Sequence, residues 1–243
     1  MGRTITDWLA FFESQHFIYV NARHKDVHYR LIANEIAALV PAADARVLDY
    51  GCGEALHADI VAETAGELIL CEAAPGLRAA LDQRFAAQAN IRVLAPHEIA
   101  RLNEASIDLI ILHSVVQYLT PEETSALFTL FRNLLRADGL LVVSDVVSAG
   151  GSTAADAAAL LKFGKANGFF FAAGWGLLRT LLSDYSRLRS HLGLTAYSEP
   201  DMMKRLSAAG FAASRAPKNI GHNQFRVAYY AKPPLTTANA RRC

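Results

Sequence analysis

Short apolar runs alternate with amphipathic segments along the middle of the chain. The runs are rich in aliphatic and β-branched side chains, as expected of strands that are covered on both faces. They lie at residues 46–50, 67–72, 91–94, 107–113 and 140–146. Parallel strands need crossover connections, and the amphipathic segments supply them. The alternation therefore predicts a doubly wound α/β sheet.

The segments between the runs carry apolar residues at three- and four-residue spacing, which is typical of helices with one buried face. They predict crossover helices at 55–65, 75–87 and 121–137. Thr120, Pro121 and Glu123 mark the third start by a hydroxyl cap, a proline in the first turn and a carboxylate three residues after the cap. Ser198 and Asp201 mark a later helix in the same way.

The C-terminal region predicts two more strands, at 211–214 and 224–230. The expected sheet therefore has seven strands, mostly parallel, with the last antiparallel. Residues 5–39 predict two helices before the first strand. Residues 154–194 are too many for an ordinary crossover and predict a helical insert.

These segments divide the chain by expected role. We expect a helical lid at 1–40, an α/β core at 41–150 and 195–234, a helical cap insert at 151–194 and a flexible tail at 235–243.

Charge and cysteine usage narrow the classes of partner. The formal net charge is +1, with 24 basic and 23 acidic residues, so no broad positive field favours nucleic acid. The three cysteines show no metal-ligand or redox spacing. No signal-peptide pattern is seen at the N-terminus. We therefore expect a cytoplasmic protein with no nucleic-acid partner and no transmembrane segment.

Residues 169–178 form the most hydrophobic stretch of the chain, and they are too few to span a bilayer. Packing within a cap is the simplest interpretation. A wall of an apolar substrate pocket, peripheral contact with lipid and a dimer contact stay open. The oligomeric state is not predicted.

Two glycines stand one residue apart between the first strand and the helix after it. A β-carbon at Gly51 or Gly53 would obstruct both a tight turn and the approach of a ligand to the backbone, while the helix start offers N–H groups. Glu72 ends the second strand, where a carboxylate can accept both hydroxyls of a ribose. Together these residues predict a ligand that contains adenosine.

Two further residues favour one kind of adenosine cofactor. A dinucleotide fingerprint has a third glycine where this chain has Leu56, and Asp49 would repel a pyrophosphate. A sulfonium cofactor with an amino-acid tail suits Asp49, because the carboxylate can interact with its ammonium group.

Together with Glu72, residues 47–54, 107–119 and 139–143 resemble class I S-adenosylmethionine-dependent methyltransferases of the small-molecule type. The likeness spans roughly residues 45–147 and returns in the last helix and two strands. It implies a Rossmann-like sheet and S-adenosylmethionine as the cofactor. In the family, the positions of Asp49, Gly51 and Gly53 meet the methionine and ribose, and Glu72 is the ribose-binding acid. Leu112 and His113 match the backbone that meets the methionine moiety.

The chain also departs from relatives of this class. Many members have an acid directly after the third strand for the adenine amino group, where this chain has Ala95 and Pro96; Glu98 is the candidate substitute. The Asn/Asp-Pro-Pro-Tyr motif of amino-group methylases is absent after the fourth strand. Metal-dependent members use acids at the ends of the fourth and fifth strands, but only Asp145 is acidic here. We therefore expect no metal.

Few side chains are candidates for binding or deprotonating the methyl acceptor. Methyl transfer from a sulfonium depends largely on positioning, so a base is optional. His113 is the best-placed ionisable group, although it can equally hydrogen-bond the following turn. Substrate or lid candidates are Tyr19, Tyr29, Tyr118 and His222. Packing is the more common role for a tyrosine in the position of Tyr118, and a turn at Gly221 explains His222 equally well.

His24 and His28, four residues apart, are compatible with a metal pair, but a polar helix face is the simpler interpretation.

The sequence thus predicts an enzyme that methylates an O, N or C nucleophile of a small molecule, with a hydrophobic acceptor preferred. The first alternative is an NAD-dependent oxidoreductase, which Leu56 and Asp49 disfavour. The second is a cofactor-binding protein without catalytic activity.

Overall fold

A computed structural model describes residues 19–181 and 194–234. Its centre is a seven-stranded sheet in the order β3-β2-β1-β4-β5-β7-β6. The strands are β1 Arg46–Tyr50, β2 Glu67–Cys71, β3 Ile91–Leu94, β4 Ile107–His113, β5 Leu135–Val146, β6 Ala212–Arg215 and β7 Val227–Lys232. Strands β1 to β5 pair in parallel, and β7 runs antiparallel to both β5 and β6. The predicted doubly wound sheet with an antiparallel last strand is confirmed.

Helices cover both faces of this sheet. They are α1 Ala22–Ala37, α2 Ala58–Ala62, α3 Pro75–Phe85, α4 Pro96–Ile99, α5 Pro121–Leu134, α6 Thr153–Ala166, α7 Phe170–Leu181 and α8 Glu199–Ala208, with a short 3-10 helix at Val116–Tyr118. Successive residues of a strand point to opposite faces, so each face has its own core. Val47 packs with α1, α2 and α3, and Leu48 packs with α5 and α8.

The predicted helix starts are confirmed at the level of hydrogen bonds. At α5, the Thr120 hydroxyl accepts from the Glu123 N–H at 3.1 Å, and the Glu123 carboxylate accepts from the Thr120 N–H at 2.7 Å. At α8, the Ser198 hydroxyl accepts from the Asp201 N–H at 3.2 Å. Both helices therefore begin where local side chains satisfy their free N–H groups.

Several predicted elements have different bounds. The helix expected at 121–137 ends at Leu134, and the strand expected from residue 140 already begins at Leu135. The helix expected from residue 55 begins at Ala58, because Ala55 has a left-handed φ of +40° and continues the turn. The last strand, expected at 224–230, is Val227–Lys232. Residues 224 and 225 do not extend it, because they lie in a turn in which the Arg226 N–H donates to the Asn223 carbonyl at 3.3 Å.

The insert after β5 contains α6 and α7. Phe169 and Ala173 are buried where the two helices meet at Gly164, whereas Phe171 and Trp175 are exposed on α7. Burial as a cap therefore accounts for one face of this apolar stretch. The first predicted N-terminal helix, the part of the insert at 182–193 and the tail at 235–243 lie outside the described residues.

Candidate cofactor and acceptor site

The glycine turn leaves β1 at the carboxyl edge of the sheet. Gly51 and Gly53 have φ values of +76° and +60°, which residues with a β-carbon rarely adopt. A β-carbon on Gly51 would lie 2.5 Å from Cγ2 of Val115, and one on Gly53 would lie 3.0 Å from the Tyr29 hydroxyl. The turn thus needs glycine for its backbone conformation and because the protein itself packs closely against it.

Glu72 joins the glycine turn to the end of β2. One carboxylate oxygen accepts from the Gly53 N–H at 3.0 Å, and the other accepts from the Ala74 N–H at 2.8 Å. Glu72 is buried. Each carboxylate oxygen has a second lone pair, so the group is held in place and can still accept from ligand hydroxyls.

Asp49 lies behind the same turn. Its carboxyl group lines a cleft, and burial, with the nearby Glu72 charge, raises its pKa to about 7. A positively charged ligand placed beside Asp49 would remove much of this penalty. The group therefore favours a cationic moiety at this end of the cleft.

The cleft that Asp49 lines opens to solvent, and its space counted out to the open mouth is about 510 Å³. Its polar wall comes from the carboxyl edge of the sheet, with His113 at the end of β4. Its apolar wall comes from α1, α2 and β2. The lining residues at this edge, besides Asp49, are Gly51, Cys52, Tyr29, His57 and His113.

Helix α1 closes over the glycine turn. The Tyr29 hydroxyl accepts from the Glu54 N–H at 3.2 Å, Lys25 forms an ion pair with Glu54, and Asp26 bonds to His57 at 2.8 Å. Tyr19 packs its ring 5.7 Å from that of Tyr29. Both predicted lid tyrosines therefore lie beside the turn.

Two polar pairs lie where β4 and β5 end. His113 Nδ1 is 2.9 Å from the Ser144 hydroxyl, and the Ser114 hydroxyl donates to the Asp145 carboxylate at 2.5 Å. Burial lowers the pKa of His113, and the Asp145 and Glu35 charges partly oppose that shift. The imidazole is therefore neutral near pH 7 and able to accept a proton.

The Ser114–Asp145 pair is strained as well as hydrogen-bonded. Both residues have left-handed backbones, with φ values of +61° and +57°. Asn219 is buried and stabilises the Asp145 conformation, because its side chain accepts from the Asp145 N–H at 2.8 Å. Strain of this kind concentrates at functional sites.

Several predicted residues lie in different surroundings. Glu98 caps α4 by accepting from the Ala95 N–H at 2.7 Å, and it does not line the cleft. The Leu112 side chain packs into the core, so only its backbone faces the carboxyl edge. Tyr118 ends the 3-10 helix and is half-buried. His222 stacks on Phe163 of α6, 4.5 Å between ring centroids.

Three features of the site were not foreseen from the sequence. They are the strained Ser114–Asp145 pair, the support from Asn219 and the aromatic contribution of Phe163. Each depends on contacts between residues 31 to 74 positions apart, so no local pattern signals them. Within the described residues, no group of three histidine, cysteine or acidic side chains can hold a metal ion, and no helix is long and apolar enough to cross a membrane.

Comparison with known proteins identifies the core. Residues 48–143 match the family model described as a methyltransferase domain. None of the curated proteins compared with the sequence matched it.

Solved structures match over nearly the whole chain at low identity. The 1,6-didemethyltoxoflavin-N1-methyltransferase of Burkholderia thailandensis, solved with S-adenosylhomocysteine, is 18% identical, with a TM-score of 0.57 over 95% of this chain and 87% of its own. The magnesium protoporphyrin IX methyltransferase of Synechocystis PCC 6803, with bound SAM, is 17% identical, with a TM-score of 0.59 over 95% and 97%. The N-methyltransferase NodS of Bradyrhizobium japonicum is 14% identical, with a TM-score of 0.58 over 95% and 99%.

The seven-stranded sheet and the glycine turn therefore define a class I methyltransferase fold. Residues 48–143 match the methyltransferase domain family, and the three similar solved structures were determined with S-adenosylmethionine or S-adenosylhomocysteine bound.

Proposed function

We propose that this protein transfers the methyl group of S-adenosylmethionine to an O, N or C nucleophile of a small molecule, and that the molecule is predominantly hydrophobic. The observation that carries the proposal is the meeting of Asp49, the Gly51 turn and His113 in one cleft at the carboxyl edge of the sheet. Neighbouring folds that methylate small molecules support this acceptor class.

The residues fit the cofactor chemically. Asp49 is a buried carboxyl group with a raised pKa, and the ammonium or sulfonium group of the cofactor would supply the charge that favours its ionised form. Glu72 is fixed by two backbone N–H groups and can accept the ribose hydroxyls. Tyr29 and Lys25 hold α1 over the turn, which would exclude water from the bound ligand.

Bound S-adenosylmethionine supplies an activated methyl group, so the protein chiefly needs to place the acceptor in line with it. His113 is suited to remove the proton of the acceptor nucleophile. Its ring is neutral because burial lowers its pKa, and Ser144 fixes its orientation. An acceptor that is already deprotonated would not need this step.

The proposal is tested by incubating the protein with methyl-labelled S-adenosylmethionine and the small-molecule fraction of a cell extract. We expect label in a product that partitions into organic solvent. Substitution His113→Gln should lower kcat at least tenfold with little change in cofactor affinity, because one base contributes about 10²-fold or more.

The alternative functions give different results. Binding of S-adenosylhomocysteine with no labelled product from any extract would indicate a non-catalytic binding protein. Binding of NADH without S-adenosylhomocysteine binding would indicate an oxidoreductase. Either result contradicts the proposal.

A further inference from the structure

Three histidines from two separate parts of the chain converge beside the cleft. His24 and His28 lie on α1, and His222 lies in the loop before β7. The ring centroids are 5.9 Å apart for His24 and His28, 5.5 Å for His28 and His222, and 6.2 Å for His24 and His222. We call these three rings the imidazole cluster.

Phenylalanines from the insert flank the imidazole cluster. Phe163 stacks on His222 with ring centroids 4.5 Å apart and planes inclined by 14°. Phe169 stacks on His24 at 4.9 Å and 25°. Phe163 and His222 are only partly buried, so the stack that they form offers an aromatic surface to a planar ligand, because offset stacking of rings is attractive.

Each ring of the imidazole cluster has a buried nitrogen with no hydrogen-bond partner among the described residues. The atoms are Nε2 of His24, Nδ1 of His28 and Nδ1 of His222. Buried polar atoms are nearly always hydrogen-bonded, so three unpartnered atoms in one cluster indicate a missing ligand or water. His24 Nδ1 accepts from the Val20 N–H at 3.3 Å, so in the neutral ring Nε2 carries the proton and is a free donor.

The charges around the imidazole cluster disfavour an anion. Asp145 and Asp156 are the carboxylates that act on His222. Asp156 is already paired with Arg226 at 2.7 Å, and Asp145 accepts from Ser114. Burial lowers the pKa of all three rings, which keeps them neutral near pH 7. The site thus offers hydrogen bonds but no positive charge to pair with an anionic group.

The imidazole cluster is continuous with the cofactor cleft. A β-carbon on Gly221, next to His222, would lie 3.9 Å from Cε1 of His113, which lines the cleft. The ring of His28 lies 5.9 Å from that of Tyr29, another lining residue. A molecule on the cluster would therefore reach the end of β4, where His113 is placed.

We propose that the imidazole cluster, with Phe163 and Phe169, is the acceptor-binding site and takes an uncharged planar aromatic molecule that carries a hydroxyl or N–H group. The unpartnered ring nitrogens bind the polar group, and the stack of Phe163 on His222 packs against the aromatic plane. This inference rests on the proposed methyltransferase function.

The test measures the binding of three matched naphthalene probes by calorimetry in the presence of saturating S-adenosylhomocysteine. The probes are 1-naphthol, 1-naphthoate and 1-naphthylmethylamine, which present a neutral, an anionic and a cationic group at pH 7.5. We expect 1-naphthol to bind at least tenfold more tightly than either charged probe. The Cε1–H NMR signals of His28 and His222 should shift on its addition.

Two variants keep an aromatic ring but remove its nitrogens: His28→Phe and His222→Phe. Each should weaken 1-naphthol binding at least fivefold, and S-adenosylhomocysteine titration of the same sample reports whether the fold is intact. Phe225→Leu is the control, because Phe225 lies in the same loop and is exposed. It should bind 1-naphthol as the wild type does.

Three results would overturn the inference. They are tighter binding of either charged probe, equal 1-naphthol affinity in the wild type and both histidine variants, and no 1-naphthol binding by a wild type that binds S-adenosylhomocysteine. Failure to bind S-adenosylhomocysteine at all would instead contradict the proposed function.

Discussion

At the residue scale, the Asp49 carboxyl group couples protonation to ligand binding. Burial and Glu72 raise its pKa to about 7, so near neutral pH a large fraction of the ligand-free protein carries a protonated Asp49. A cationic ligand favours the ionised form, so binding should release a proton. The affinity for S-adenosylhomocysteine should therefore fall as the pH is lowered from 8 to 6.

Substitution Asp49→Asn removes this coupling. At pH 8 we expect at least tenfold weaker binding, because a charge-assisted interaction is worth about 1.5 to 3 kcal/mol, and almost no change between pH 8 and 6. The matched control is Asp82→Asn on the exposed side of α3. Isothermal calorimetry at several pH values measures both proteins, and a wild-type pH dependence retained by Asp49→Asn would contradict the assignment.

The same substitution should stabilise the ligand-free protein. The folded pKa of Asp49 lies above its ordinary value of 3.8, so the buried carboxylate lowers stability increasingly as the pH rises from 3.8 through about 7. At pH 8 the Asn variant should therefore melt at a higher temperature than the wild type, whereas the two should converge at pH 4.

The identity of residues in the turn was predictable, but their contacts were not. Spacing alone predicted a tight turn at Gly51 and Gly53 and a carboxylate, Glu72, at the end of the second strand. The contacts of Val115 with Gly51 and of Tyr29 with Gly53 come from other elements. Sequence patterns report local backbone demands, whereas these contacts are set by packing across the sheet.

At the element scale, α1 is attached to the core partly through neutral histidines. Burial lowers the pKa of His24 from 6.5 to about 4. The unfolded chain therefore binds a proton that the folded chain does not as the pH falls from 6.5 toward 4, and stability is lost over that range. His28, His222 and His113 also have lowered pKa values, so they add to the same effect.

Substitution His24→Phe should reduce this acid sensitivity. Between pH 7.5 and 4.5, the free energy of unfolding of the wild type should fall by about 2 to 3 kcal/mol more than that of the variant. Urea unfolding at both pH values measures the difference. Substitution His97→Phe, at an exposed position of α4, is the control and should follow the wild type. Equal acid sensitivity of His24→Phe and the wild type would contradict the account.

The start of a helix could be predicted from the sequence where its capping residues lie within one turn of each other. The start of α5 at Pro121 was predictable from Thr120 and Glu123, because the cap involves only residues within one turn. The late start of α2 was not predictable, because nothing in the local sequence indicates that Ala55 has a left-handed backbone. The displaced start of β7 reflects a turn in which the Arg226 N–H donates to the Asn223 carbonyl.

At the scale of the whole molecule, the alternation of apolar runs and amphipathic segments was enough to predict the sheet. Each buried parallel strand requires a crossover, which leaves few possible arrangements. The acceptor side was less predictable, since α1, the insert and the loop before β7 meet there only after folding. Spacing identified His24 and His28 as a pair, but their contact with His222 required the structure.

The central claim is that the Gly51 turn binds the methyl donor, and calorimetric titration with S-adenosylhomocysteine tests it most directly. The wild type should give saturable binding with one site per chain. Gly51→Arg should abolish it, because the side chain would collide with Val115 in a turn that already requires a positive φ. Absence of binding heat from the folded wild type, or unchanged binding by Gly51→Arg, would contradict the account.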